Sequence, residues 1–413
     1  INMKINKYLP IAICATALIP IAGLLFSLLS ICKNGKNRIS FLLISFFYFF
    51  FLIRLPPYGD SYRRYGDFLS YAPHSEVTSF LSGHPDIFYY LGIVVFRNLD
   101  IAYYIMPATY GALMIYLLLA SLRNMLFIFD CELSGFKKIS AYVLLLSAFD
   151  IVGYSLGLRF GLSITLAVYA ISTYSRGDKL KAILAMILTL LVHFSMALIV
   201  IGFIASRFVN LNKKKLVLFS IISYVLSSTI LPFILTKISL GGIGAYAISG
   251  YVDGVWANAS DNLNTKGVSF IRNMLQLSLL VLFLRDKNSV DIIDRAICLI
   301  IPLSFLTAVS FTAFQRYLVV CSLLLMVRII PPYIGLLFRK IYLMIGFCFY
   351  VFVSAIVLNI YVQRMPFIWG DLWRGYYQSP LTLINYDDKK FTKYLNEVTL
   401  DGNWVKNRQG EKG

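Results

Sequence analysis

Charge is scarce in this sequence. Asp, Glu, Lys and Arg make up 14% of its 413 residues, against about 25% in a soluble domain, so most of the chain does not face water. Histidine is rarer still, at three residues, and His74 and His84 lie far in sequence from His193, so no metal site is expected. The six cysteines (Cys14, Cys32, Cys131, Cys298, Cys321 and Cys348) lie mostly inside apolar runs without CxxC spacing. Thiols placed this way behave as small hydrophobes, and neither a disulfide framework nor zinc is expected. No connector carries a GxGxxG or P-loop pattern, and the cytoplasmic connectors are too short for a nucleotide-binding domain. That excludes an ATP-driven pump within this chain and argues against nucleotide-sugar chemistry; no cofactor is expected. There is also no internal repeat of the kind that marks paired transporter halves.

What is abundant is apolar surface. Hydrophobic residues reach 59% and aromatics 15%, with 28 Tyr and 32 Phe. Runs able to cross about 30 Å of hydrocarbon recur from end to end. Spans are expected at 9–31, 39–53, 101–122, 139–152, 158–175, 182–192, 194–207, 216–235, 268–284, 292–312, 317–331 and 341–361. The first follows Lys4 and Lys7 but lacks a clear cleavage site, so it reads as an uncleaved span. The fold class is therefore all-α: a polytopic integral membrane protein of about 11–13 transmembrane helices, with residues 1–361 in the membrane domain and 362–413 as an external tail.

The net charge of +18 would suggest nucleic acid in a soluble protein. Here much of the lysine falls in short connectors: Lys33, Lys36 and Arg38; Arg123 with Lys137 and Lys138; Arg176, Lys179 and Lys181; Lys213 to Lys215; Arg285 and Lys287; Arg339 and Lys340. Placing all six on the cytoplasmic side satisfies the positive-inside rule, leaves both termini outside, and removes any need for nucleic acid. The arrangement requires 182–206 to be two short helices meeting near His193 in a shallow hairpin. Three longer segments then lie outside: 54–100, 236–267 and the tail.

That outer side carries arginine where the rule would exclude it: Arg54, Arg63, Arg64, Arg97, Arg159, Arg272, Arg316, Arg364 and Arg374. Arg97, Arg364 and Arg374 read as interfacial residues reaching for lipid headgroups. Arg159, Arg272 and Arg316 each sit at the outer mouth of a different span. A guanidinium fork matches phosphate oxygens, so the three point to an anionic lipid-linked substrate, most simply a pyrophosphate. His193 lies within the apolar stretch LLVHFSMAL, where burial without a partner is costly; it is a functional candidate beside the reading of a structural histidine bonded to a helix carbonyl. Among the few outer carboxylates, Asp60 is the first choice for a general base, because Gly59-Asp60-Ser61-Tyr62 directly follows a span; a helix N-cap is the competing reading.

These residues also carry a resemblance. Arg54 followed by Tyr58-Gly59-Asp60-Ser61-Tyr62-Arg63-Arg64-Tyr65 resembles the R-x-G-x-D-Y-x-x-Y region of Wzy-type O-antigen and exopolysaccharide polymerases. Leu158-Arg159-Phe160-Gly161-Leu162, an apolar helix and then His193-Phe194-Ser195 are similar to that family's Arg–helix–His-x-Ser pattern, although Gly and Phe flank Arg159 where the family often has Asn and Gln. Arg316 is similar to a late arginine there. The resemblance implies a metal- and nucleotide-independent membrane glycosyltransferase in the bacterial inner membrane, with a GT-C-like cavity facing the periplasm. It would move a growing glycan from undecaprenyl pyrophosphate onto the non-reducing end of an incoming lipid-linked repeat unit. It implies Asp60 and His193 as catalytic, and Arg54, Tyr62, Arg63, Arg159, Arg272 and Arg316 as binding pyrophosphate or sugar. A chain-length regulator is an expected partner beside the lipid-linked oligosaccharide and the bilayer. An O-antigen ligase or a flippase for the same lipids is the alternative function.

Overall fold

A computed structural model describes residues 7–33, 38–131, 133, 135–237, 263–288, 290–393 and 395, and among them there are helices and turns but no strand. The expected segment 236–267 and the distal tail with Trp404 lie almost entirely outside the described residues. Helices α1 (Tyr8–Leu18), α2 (Pro20–Lys33) and α3 (Arg38–Leu52) open the chain, followed by α4 (Asp60–Ser70), α5 (Val77–Ser82) and α6 (Ile87–Asn98). Next come α7 (Ile105–Ile128), α8 (Gly135–Ala148), α9 (Ile151–Leu156), α10 (Leu158–Ser175), α11 (Lys179–Val192), α12 (Ala197–Ala205) and α13 (Lys213–Lys237). The last group is α14 (Leu263–Arg285), α15 (Asp291–Phe305), α16 (Phe311–Leu337), α17 (Ile341–Phe352) continuing into a π-helical stretch (Val353–Tyr361), α18 (Arg364–Trp369) and α19 (Asp388–Thr392). Among the described residues, six helical runs are long and apolar enough to cross a membrane, and the chain is a multi-pass all-α membrane protein.

One expected span folds differently. Residues 9–31 are not a single crossing: the chain reverses at Ile19, whose extended backbone (φ −137°, ψ 93°) ends α1, and α2 packs back along α1. Gly23 makes the close approach possible, since a Cβ there would lie 2.5 Å from Thr16 Cα. Helices in lipid gain by close packing of small residues and not by a hydrophobic driving force. Pro20 supplies the reason for the break, because it lacks the N–H that would continue the helix. Tyr8 and Lys33 therefore lie on one side. This corrects the expectation that both termini sit outside: the start of α1 lies on the lysine-bearing side.

The second hairpin follows expectation. α11 leaves the end of α10 and packs along it, the helix stops at His193, and α12 returns. Phe203 packs edge-on to Tyr174 at 5.4 Å and the Arg207 guanidinium lies 4.5 Å from the same ring, so both limbs end beside the foot of α10. The limbs diverge, with α11 against α10 and α12 against α15.

The basic connectors gather on one face. Cys32 Sγ approaches Gly135 O at 3.1 Å, Phe136 meets Phe338, and Arg176 donates to Asn124. Lys213 donates to Asp286 O at 2.9 Å. At this face Arg328, fully buried, is the largest buried side chain. It donates to Asp286 Oδ2 (2.8 Å), Asp294 and Asn288 O (2.7 Å), between the rings of Phe129 and Phe283. With Lys213 3.6 Å from Asp294, two cations face two carboxylates across α13, α15 and α16. The opposite face is covered by the 54–100 segment and by the described part of the tail, whose Phe391 is buried among Tyr65, Tyr103 and Tyr104.

Two outcomes test this arrangement. Breaking the buried ion cluster with Arg328→Met leaves its carboxylates short of partners and is expected to cost about 3 kcal/mol, read as a lower thermal midpoint in detergent. A cysteine placed at position 8 should be labelled by an impermeant reagent from the same side of the membrane as one at position 137; labelling from opposite sides would mean that 9–31 crosses once.

Candidate functional site

The site is built around a carboxylate at the start of α6. Asp86 occupies the N-cap position of that helix, yet its side chain makes no cap hydrogen bond there. An N-cap aspartate ordinarily accepts from its own helix; this one, 2% exposed, spends its oxygens elsewhere. Oδ1 accepts the Phe194 N–H at 2.8 Å, and Oδ2 accepts from Arg159 NH1 at 2.6 Å and faces His193 Nδ1 at 3.3 Å.

Each partner comes from a helix end, and each needs a negative charge. His193 stops α11 with extended backbone (φ −153°, ψ 105°), which exposes the next N–H groups as orphan donors. Asp86 satisfies one of them from across the bundle. Arg159 sits in the first turn of α10, where the helix dipole disfavours a cation, and Asp86 offsets that as well. Burial pushes the Asp86 carboxyl up, but the hydrogen bond and charge of His193, the Phe194 N–H and Arg159 together hold it below the usual carboxylate value. Because an ionised carboxylate only accepts, the His193 Nδ1 that faces it is a donor, and Nε2 makes no hydrogen bond among the described residues.

Two aromatic residues bring a second arginine alongside. Phe160 stands edge-on to His193 at 6.4 Å, and the Arg316 guanidinium lies 5.9 Å from the Phe160 ring. The neighbouring Tyr317 hydroxyl donates to Ser195 O, tying α16 to the break after α11. Arg159 and His193, expected from different spans, thus meet at Asp86, and Arg316 stands across the Phe160 ring from His193.

The α4 residues form an adjoining ladder. Gly59, at φ 59°, turns the chain into α4. Asp60 then pairs with Arg63 (3.2 Å) and Arg64 (3.7 Å), its i+3 and i+4 neighbours. Arg64 also binds Asp67 and donates to Tyr90 Oη at 2.8 Å. His84 stacks flat on Tyr90, at 3.6 Å and 8°. Burial and the charges of Arg64 and Arg159 push His84 below the ordinary imidazole value, against the pull of Asp67 and Asp86. The Nε–H groups of both Arg64 and Arg159 are buried and have no partner among the described residues. Tyr62 lies half-buried on α4.

Two expected residues lie elsewhere. Arg54 donates to Gln378 Oε1 at 2.7 Å and packs over Tyr386, in a small cavity shared with Arg374 and the tail. Arg272 lines a separate cavity with Asp150 and Tyr154. Of the remaining arginines, Arg97 donates to Tyr71 O over the Phe68 ring, and Arg364 to Tyr361 O. Among the described residues no three His, Cys, Asp or Glu side chains meet in a way that could hold a metal ion.

The sequence pattern singled out Asp60 and passed over Asp86. A faint signal was present: in Gly83-His84-Pro85-Asp86 an acidic residue follows proline at the head of an apolar helix, a position read locally as an N-cap. Its distant partners were not visible.

These motifs fall within residues 37–373, which a family model described as the EpsG family matches. The chain belongs to the EpsG family. The family is exopolysaccharide- and O-antigen-polymerase-like, in line with the Wzy-type resemblance, and gives this multi-pass protein a polysaccharide-polymerase-type, glycosyltransferase-like function. No curated protein and no solved structure matches the chain. For this EpsG-family chain, removing the Asp86 charge as Asn should cost about 1–3 kcal/mol of stability. Its folded-state carboxyl lies below the unfolded value of about 3.9, so that contribution is complete above this value and is lost as pH falls through the folded one. The difference in thermal midpoint between the native protein and Asp86→Asn should hold constant from about pH 5 to pH 8 and vanish on further acidification.

Proposed function

We propose that this chain polymerises lipid-linked repeat units. It would transfer the growing glycan from undecaprenyl pyrophosphate to a hydroxyl at the non-reducing end of the incoming unit, with the site open to the periplasm of a bacterial inner membrane. The observation that carries this reading is Asp86 holding both Arg159 and His193. The carboxylate fixes the imidazole tautomer and leaves Nε2 as the proton acceptor, as in other Asp–His pairs. In the reaction the acceptor oxygen bonds to the anomeric carbon as the bond from that carbon to the pyrophosphate oxygen breaks. The hydroxyl proton passes to His193 Nε2, and the electron pair leaves with undecaprenyl pyrophosphate.

Charge on the departing pyrophosphate needs donors in place beforehand. Arg159 and Arg64 offer buried Nε–H groups with no partner among the described residues, and Arg316 stands beside them through Phe160. Asp86 is a positioning residue here. Asp60 and Arg63 shape the rim through Arg64, and the flat His84–Tyr90 pair gives a sugar an aromatic face. The periplasmic placement is supported by the gathering of lysine connectors on the opposite face, which the positive-inside rule puts in the cytoplasm. The energy comes from the pyrophosphate linkage, so no nucleotide enters.

In cells lacking the native gene, His193→Ala and Arg159→Ala should each lower chain extension by about 10²–10⁴-fold, leaving a single-repeat product while the protein stays in the membrane. A normal polymer ladder from both variants would rule the site out.

A further inference from the structure

The Arg272 cavity adjoins the Asp86 site, since Tyr154 in its wall stands 6.3 Å from Phe160, and it is walled by the break between α8 and α9, by α14, by α16 and by the α17–π run. It measures about 60 Å³. Its walls are unusually polar for their depth. Arg272 is six residues, about 9 Å, into the apolar span Lys266–Arg285, and Gln276 is one turn deeper. Ser322 on α16, Tyr350 at the end of α17 and Ser354 on the π stretch face the same space.

The frame around this cavity is fully stitched. Asn359 donates to Ser147 O (3.0 Å) and Phe149 O (3.2 Å), satisfying carbonyls released where α8 ends. Gln363 donates to Asp150 Oδ2 and the Gly153 N–H to Oδ1, both at 2.9 Å. The π-helical turns widen the helix, a departure that recurs at functional sites. Inside that frame two groups are left over. Among the described residues the Arg272 guanidinium makes no hydrogen bond, its charge facing Asp150 and Tyr154 only across space, and Gln276 Oε1 is buried without a partner. Polar groups at membrane depth are costly unless something polar meets them.

The cavity also has a way in. α14 packs against α16, and the π stretch against α8, α9 and α18, with no substantial packing between α14 and the α17–π run among the described residues. Both runs are apolar and largely exposed, as lipid-facing helices are. The seam between them opens sideways into the hydrocarbon.

We infer that this cavity is a second binding site, which takes the phosphate head of a membrane lipid entering between α14 and the π-helical stretch. Arg272 binds the phosphate, and Gln276, Ser322 and Ser354 meet its remaining polar atoms. The inference deepens the lipid-linked reading above, but it concerns binding alone and needs no sugar. Two lipids carry the required chemistry, a polyprenyl phosphate and an anionic phospholipid.

The test uses the full chain in phosphatidylcholine nanodiscs, with retention of added lipid read by native mass spectrometry. Undecaprenyl phosphate should be retained, and Arg272→Ala and the cavity-filling Ser354→Phe should each weaken retention at least tenfold. Lys181→Ala, which removes an exposed charge at the start of α11, should leave it unchanged. Phosphatidylglycerol in a parallel arm identifies the source: displacement of undecaprenyl phosphate at equal concentration means a general lipid-phosphate site, and failure to displace it means a polyprenyl site. Equal retention of undecaprenol, which lacks the phosphate, would overturn the inference, as would undiminished binding by both cavity variants. Because no sugar donor is present, loss of the polymerase reading would leave these results standing.

Discussion

A carboxylate taken out of water must be matched by charge and hydrogen bonds, and Asp86 meets that demand by drawing three helix ends together. The break after α11 presents an orphan N–H and a buried imidazole, and the first turn of α10 a cation at a positive dipole end, three groups that would each be costly without Asp86 at the head of α6. One residue resolves all three. The shallow 179–207 hairpin, whose apex would otherwise carry exposed backbone at membrane depth, depends on this contact.

The contrast with Arg328 shows what separates a structural ion cluster from a candidate site. Around Arg328 two cations and two carboxylates close on one another, and the guanidinium is satisfied by Asp286, Asp294 and Asn288 O. Around Asp86 the carboxylate is saturated, whereas Arg159 and Arg64 keep buried donors without partners among the described residues. The first arrangement holds α13, α15 and α16 together at the lysine-rich face. The second holds donors in readiness on the opposite face. Cationic capacity left over at a low-dielectric site is what the proposed transfer reaction calls for.

Much of this was legible in the residues because it follows from local rules. Span content follows from apolar run length, and the facing of the connectors from lysine placement. The helix break at His193 was inferred from charge parity, and the structure locates it at that residue. The reversal at Ile19 was missed although Pro20 marked it, because a run of 23 apolar residues (9–31) is as compatible with one long crossing as with two short packed helices. The grouping of arginines was legible in part: Arg159 and Arg316 meet through Phe160, whereas Arg54 and Arg272 are drawn into other cavities by Gln378 and by the α8–α9 break.

By itself, then, the sequence determined the all-helical membrane fold, the asymmetry between a lysine face and an arginine face, and the choice of Arg159 and His193 as candidates. These follow from composition and from spacing within single elements. Only the tertiary structure decided which carboxylate serves them. Asp60 looked stronger in sequence, but its oxygens are taken by Arg63 and Arg64 one helical turn away. Asp86 looked like an ordinary N-cap, and becomes the centre of the site because α6 is packed against α11, so that its head faces the broken end of that helix and the first turn of α10. A contact across 73 or 107 residues of chain is fixed by helix packing, and no local pattern encodes it.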